Sequence, residues 1–140
     1  MTRHVIDASV AVKWYVSEEW SEAALSLYGP GFELSAPDLL FPEVGNVLWK
    51  KVRRRQLGED EALAILGAVV RSQVEIHPCG PLIETALAIA NETGASVYDC
   101  TYLSLAALSG STLVTADRRL ADRLSASKFG GHVSRIEDVL

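Results

Sequence analysis

Short apolar runs alternate with amphipathic stretches along the whole chain. Residues 3–7 hold a run too short for a helix and read as a buried strand. Helical stretches are expected over about 9–16 and 20–28, after which Gly29-Pro30-Gly31 breaks the chain. A second strand is expected over 32–36. Asp38 is placed to cap a helix reaching about Gln56, with Pro42 in or near its first turn, where a missing N–H is tolerated. Leu57-Gly58 ends that helix. The next stretch, 59–73, has Ala62, Ile65, Leu66 and Val69 at helical spacing. A short strand over 74–77 closes at Pro78, and a helix over 81–93 stops at Gly94. Val97-Tyr98 reads as a minimal strand and 99–108 as a helix rich in small residues. Strand 112–115, helix 117–125 and strand 132–136 complete the pattern. Alternating β and α elements predict one three-layer α/β/α domain over 1–140, with a parallel sheet covered on both faces. Ligands of such sheets bind outside the carboxyl ends of the strands.

Four carboxylates sit where such a domain would gather a metal site. Asp7, Asp99 and Asp117 each follow a short apolar run. Glu43 interrupts the inward stripe Leu40, Val44, Val47, Leu48 of its helix, where an unpaired charge is rare and costly. Each Asp also suits an N-cap, but a carboxylate has two oxygens and can do both. A cluster of this kind requires protons or cations to neutralise it, and hard oxygen ligands point to one or two Mg²⁺ or Mn²⁺ ions. Ser9 and Thr115 lie two residues from Asp7 and Asp117, so their hydroxyls are placed to support the carboxylates. Asn46 adds a polar group near the Glu43 face.

The formal net charge of −5 counts mildly against a general nucleic-acid binder. Its distribution is uneven, however. Lys50, Lys51, Arg53, Arg54 and Arg55 form a dense run and Arg118 directly follows Asp117, so these are candidate contacts to a polyanion backbone, or otherwise a solvated helix end. Cys79 and Cys100 form no metal-binding or CxxC pattern and suit a reducing cytoplasm. No apolar run approaches membrane-helix length, and Asp7 comes too early for a signal peptide. No Ser/His/Asp or Cys/His arrangement and no glycine-rich phosphate loop is legible.

In this order and spacing, four segments resemble the PIN-domain family, and within it the VapC-like toxins. They are Val5-Ile6-Asp7-Ala8-Ser9; Ala36-Pro37-Asp38 leading to Pro42-Glu43-Val44-Gly45-Asn46-Val47-Leu48; Tyr98-Asp99-Cys100-Thr101-Tyr102-Leu103; and Leu113-Val114-Thr115-Ala116-Asp117-Arg118-Arg119-Leu120. The resemblance implies a parallel sheet of about five strands between helices, with Asp7, Glu43, Asp99 and Asp117 binding Mg²⁺ or Mn²⁺ to cut RNA. It also implies a small antitoxin partner and a homodimer whose N-terminal helices frame a groove for an antitoxin segment. The large aromatics Trp14, Tyr15, Trp20 and Trp49 lie in or near helical segments, and a domain of this size can bury only part of that surface, which would serve such interfaces. Two other classes compete with the nuclease. A phospho-acceptor signalling domain also gathers Asp at strand ends, but Asp7 has no acidic neighbour and no Lys follows the late strand. A non-catalytic interaction module would not need the four acidic residues.

Overall fold

The computed structural model describes residues 2–139. Five strands, β1 (Thr2–Ile6), β2 (Phe32–Pro37), β3 (Glu75–His77), β4 (Thr112–Thr115) and β5 (Val133–Arg135), pair in the order β3-β2-β1-β4-β5. Every pairing is parallel. The helices are α1 (Ala8–Ala11), α2 (Ser21–Leu27), α3 (Leu40–Arg53), α4 (Glu59–Val70), α5 (Ile83–Thr93), α6 (Val97–Ser109) and α7 (Arg118–Ser125).

Strand order explains the layers. From β1 the chain steps outward twice, through α1–α2 to β2 and through α3–α4 to β3. It then crosses back through α5–α6 to β4 and continues through α7 to β5. Right-handed crossovers put the helices of these two directions on opposite faces. Arg123 of α7 donates to Gly94 O at the α5–α6 junction at 2.6 Å, which ties the second group together on one face. The direction reverses between β1 and β4, and the crevice at that switch point is where ligands of open parallel sheets bind.

The core follows from burial on both faces. Val5 and Ile6 of β1 and Leu113 and Val114 of β4 are fully buried, as central parallel strands require. Residues Cys100–Ala106 of α6 are all buried, so this helix is apolar around most of its circumference. Cys100 is among them, a small filler. Trp14 is also buried and donates from Nε1 to Ala24 O at 2.9 Å. No helix among the described residues is long and apolar enough to cross a membrane.

Several expected elements are corrected. Val97-Tyr98 is no strand but the first turn of α6, because Ser96 caps it by accepting the Asp99 N–H at 3.1 Å. Gly94, at φ +76, ends α5 in the left-handed region and frees the chain to turn into that cap. Asp99 therefore sits inside a helix rather than at a strand end. The stretch expected as one helix over 9–16 is a single turn, α1, followed by a tight turn over Val12–Trp14. Asp38 does not cap α3, whose N-cap is Leu39. Its carboxylate instead accepts the Cys79 N–H at 3.2 Å, while its own N–H donates to His77 O at 2.8 Å, fastening the end of β3 beside β2.

Candidate metal centre

Asp7 is the first residue beyond β1 and caps α1. Its Oδ1 accepts the Val10 N–H at 3.3 Å and the Ser9 hydroxyl at 2.5 Å, and its Oδ2 accepts the Thr115 hydroxyl at 2.6 Å. Strand register brings these groups together: Ile6 pairs with Val114, so Asp7 falls beside Thr115. Each hydroxyl also accepts a backbone N–H. Ser9 Oγ takes that of Ala116 at 3.0 Å and Thr115 Oγ1 that of Asp117 at 3.1 Å. The single proton of each hydroxyl is thereby aimed at Asp7, which favours an ionised carboxylate.

Asp117 caps α7 through Oδ1, which accepts the Leu120 N–H at 3.1 Å. Asp99 is the third residue of α6, and Glu43 lies in the first turn of α3, half-buried beside the buried Leu40 and Val44. The four acidic residues line one cleft of about 450 Å³, together with Ser9, Asn46 and Lys50. None of the four is ion-paired among the described residues.

Burial and neighbouring charge raise three of the four carboxylates. Burial pushes the Asp7 carboxyl up to about 6, against the opposing pull of Ser9, Thr115 and Val10, and the charge of Asp99 adds to the rise. Burial also raises Glu43, opposed by the Tyr102 hydroxyl and reinforced by Asp99 and Asp7. Asp99 is raised by burial and by Asp117, opposed by Ser96. As the side chains stand, no three His, Cys, Asp or Glu groups among the described residues are drawn together closely enough to cage an ion.

The basic run divides. Lys50 lines the cleft. Lys51 is paired with Glu18 at 3.1 Å, and Glu18 also takes Lys13 at 3.4 Å, so Lys51 is largely withdrawn from solvent. Arg53 lies over the Trp49 ring at 5.1 Å, and Arg54 and Arg55 are exposed at the end of α3, away from the cleft lining. Arg118 pairs with Glu137 at 3.3 Å. Two tyrosines were not read from the sequence as part of the site. Tyr98 lines the cleft and Tyr102 faces Glu43. The signal for Tyr98 was helical spacing beside Asp99, hidden by reading Val97-Tyr98 as a strand.

The sequence matches the PIN domain family model over residues 4–124. It is 39% identical over 124 residues to Ribonuclease VapC3 of Pyrobaculum aerophilum, covering 87% of this chain and 95% of that protein. Among solved structures, PAE2754 from Pyrobaculum aerophilum superposes with a TM-score of 0.68 at 26% identity, over 97% of this chain and 85% of that one. A toxin-antitoxin complex from Klebsiella pneumoniae shares the fold, with a TM-score of 0.60 at 16% identity over 95% and 97% of the two chains. The five-stranded parallel order, the acidic cleft at its switch point and these likenesses lead to one assignment: the chain belongs to the PIN-domain family.

Proposed function

We propose that the protein is a metal-dependent endoribonuclease and the toxin of a toxin–antitoxin pair. The observation that carries this reading is the set of four carboxylates, none ion-paired among the described residues, lining one cleft at the carboxyl end of the sheet. The relative named Ribonuclease VapC3 supports the reaction class. The donor set fits a hard divalent cation: all four groups are carboxylates, and burial of Asp7 leaves a charge that protein cations do not offset. Asp7, Glu43, Asp99 and Asp117 would hold one or two Mg²⁺ or Mn²⁺ ions. Such an ion supplies Lewis-acid chemistry, making water nucleophilic near neutral pH and offsetting charge on the phosphate and leaving oxygen.

The chain's own residues perform the rest. Ser9 and Thr115 fix both oxygens of Asp7 and favour its ionised form. Asn46 lines the same wall as a neutral polar contact, and Lys50 supplies a cation where a phosphodiester backbone enters. Water adds to phosphorus, the P–O bond to the leaving oxygen breaks, and that oxygen takes up a proton. No side-chain nucleophile is required.

The partner side rests on exposed apolar surface. A groove of about 320 Å³ between α3 and α4 is lined by Leu48, Trp49, Val52, Leu63 and Leu66, and Trp49 and Leu63 are 55% and 69% exposed. An antitoxin segment would cover such a surface and reach an Arg or Lys into the carboxylates in place of metal. The toxin–antitoxin complex of the same fold supports that partner. Exposed Tyr15 and Trp20 near the N-terminal helices suit a homodimer. The reaction is tested by incubating purified protein with RNA and Mg²⁺ or Mn²⁺. Internal cuts that vanish with EDTA and in Asp99→Asn are expected, and cleavage that survives chelation would overturn the metal mechanism. Light scattering showing a monomer at micromolar concentration would overturn the dimer.

A further inference from the structure

One buried polar group is used by neither the fold nor the chemistry assigned above. Tyr102 is 1% exposed on α6, three residues after Asp99 and on the same side of the helix. Its hydroxyl is shielded from water and completes no hydrogen bond of normal geometry. A buried donor left open in this way is uncommon and calls for a reason, since phenylalanine would fill the space without the polar atom. The group it faces is Glu43, close enough for each to perturb the other, though short of a closed bond. Glu43 has no other hydrogen bond or ion pair from a side chain among the described residues, whereas Asp7 is held by three donors and Asp117 by one. Glu43 is half-buried, carries one more rotatable bond than an aspartate, and lacks the side-chain bonds that fix Asp7.

We propose that Tyr102 is a positioning residue: its Oη donates to the Glu43 carboxylate and turns it toward Asp7 and Asp99 when a divalent cation is bound. The inference rests on the metal-site reading above. Groups that orient metal ligands commonly alter affinity by about 10–100-fold when removed. Because Oη completes no hydrogen bond of normal geometry, its loss should leave the fold unharmed when metal is chelated. A merely structural tyrosine would behave in the opposite way.

The test compares Tyr102→Phe, Glu43→Gln and the double variant with the wild-type chain. Mn²⁺ binding is followed by calorimetry or electron paramagnetic resonance without RNA, and thermal unfolding is followed in EDTA. The expected result for Tyr102→Phe is Mn²⁺ affinity lowered about tenfold or more, with the EDTA melting temperature unchanged or raised. In the Glu43→Gln background the same change should have little further effect on Mn²⁺ affinity. Wild-type affinity in Tyr102→Phe, an undiminished penalty in the Glu43→Gln background, or a lowered EDTA melting temperature would each overturn the proposal. A wild-type chain that binds no Mn²⁺ would overturn the metal reading itself, an outcome distinct from the other three.

Discussion

Thr115 Oγ1 donates to Asp7 Oδ2 at 2.6 Å, joining residues 108 positions apart. The same oxygen accepts the Asp117 N–H at 3.1 Å. One buried hydroxyl therefore fixes the carboxylate beyond β1 and the backbone that presents the carboxylate beyond β4. Ser9 mirrors it from the other side through Asp7 Oδ1 and the Ala116 N–H. The two loops are held to one another by polar bonds inside a desolvated site, where such bonds are costly to leave unmade.

Thr115→Val keeps the volume and removes the hydroxyl. It leaves Asp7 Oδ2 and the Asp117 N–H without partners, and Thr115 is fully buried. Destabilisation of about 1–3 kcal/mol is expected in urea unfolding, together with loss of RNA cleavage. Thr115→Ser, which keeps the donor, should recover most of both. A valine variant as stable as the wild type would show that the bridge contributes nothing.

Asp7→Asn should stabilise the metal-free protein at pH 8. The Asp7 carboxyl is raised in the folded state to about 6 from 3.8, so between those values the folded protein binds more protons than the unfolded chain. Stability falls as pH rises through that window and stays lower above it, by up to about 3 kcal/mol. Asparagine removes the charge but loses part of the hydroxyl bonding, so a gain of about 1–2 kcal/mol at pH 8 is expected, shrinking toward pH 4. Denaturant curves in EDTA at the two pH values measure it. A gain as large at pH 4 as at pH 8 would refute the charge as its cause.

Mn²⁺ should raise the wild-type melting temperature more at pH 7.5 than at pH 5. Burial raises Asp7, Glu43 and Asp99 together, so protons compete with the ion as pH falls. Scanning calorimetry with and without Mn²⁺ at both pH values is the measurement. Equal shifts at the two pH values would place the ion away from these carboxylates.

Neighbouring lysines should separate by role. Lys50→Met is expected to weaken RNA binding and lower the slope of log affinity against log salt by about 1. Lys51→Met should leave that slope alone and instead cost about 0.5–1 kcal/mol of stability, because it removes one of two cations held on Glu18. Filter binding across a salt series and thermal melts distinguish the two. The reverse pattern would move the substrate path toward Lys51.

The sequence was legible where local pattern and global fold agree. The strands ending before Asp7 and Asp117 are apolar runs bounded by polar caps, and they lie at the sheet centre, where both faces are buried. Glu43 stood out because a charge on an apolar stripe is rare. Val97-Tyr98 was misread because a short apolar run does not distinguish a strand from the buried start of a helix. The Lys51–Glu18 pair spans 33 positions, and no local pattern announces it. Tyr102 was equally silent, since its facing partner lies on a helix distant in sequence.

Strand order also has a consequence for the timing of synthesis. Translation delivers β1, β2 and β3 with Asp7 and Glu43 long before β4 arrives to cover the other edge of β1. Until then Asp7 lacks the Thr115 donor, and neither Asp99 nor Asp117 stands opposite it. On the proposed reading, a nascent chain surrounded by ribosomal RNA carries only half a cutting centre. On that reading the enzyme would become dangerous to its maker only after its final third had emerged and inserted, a delay that needs no inhibitor.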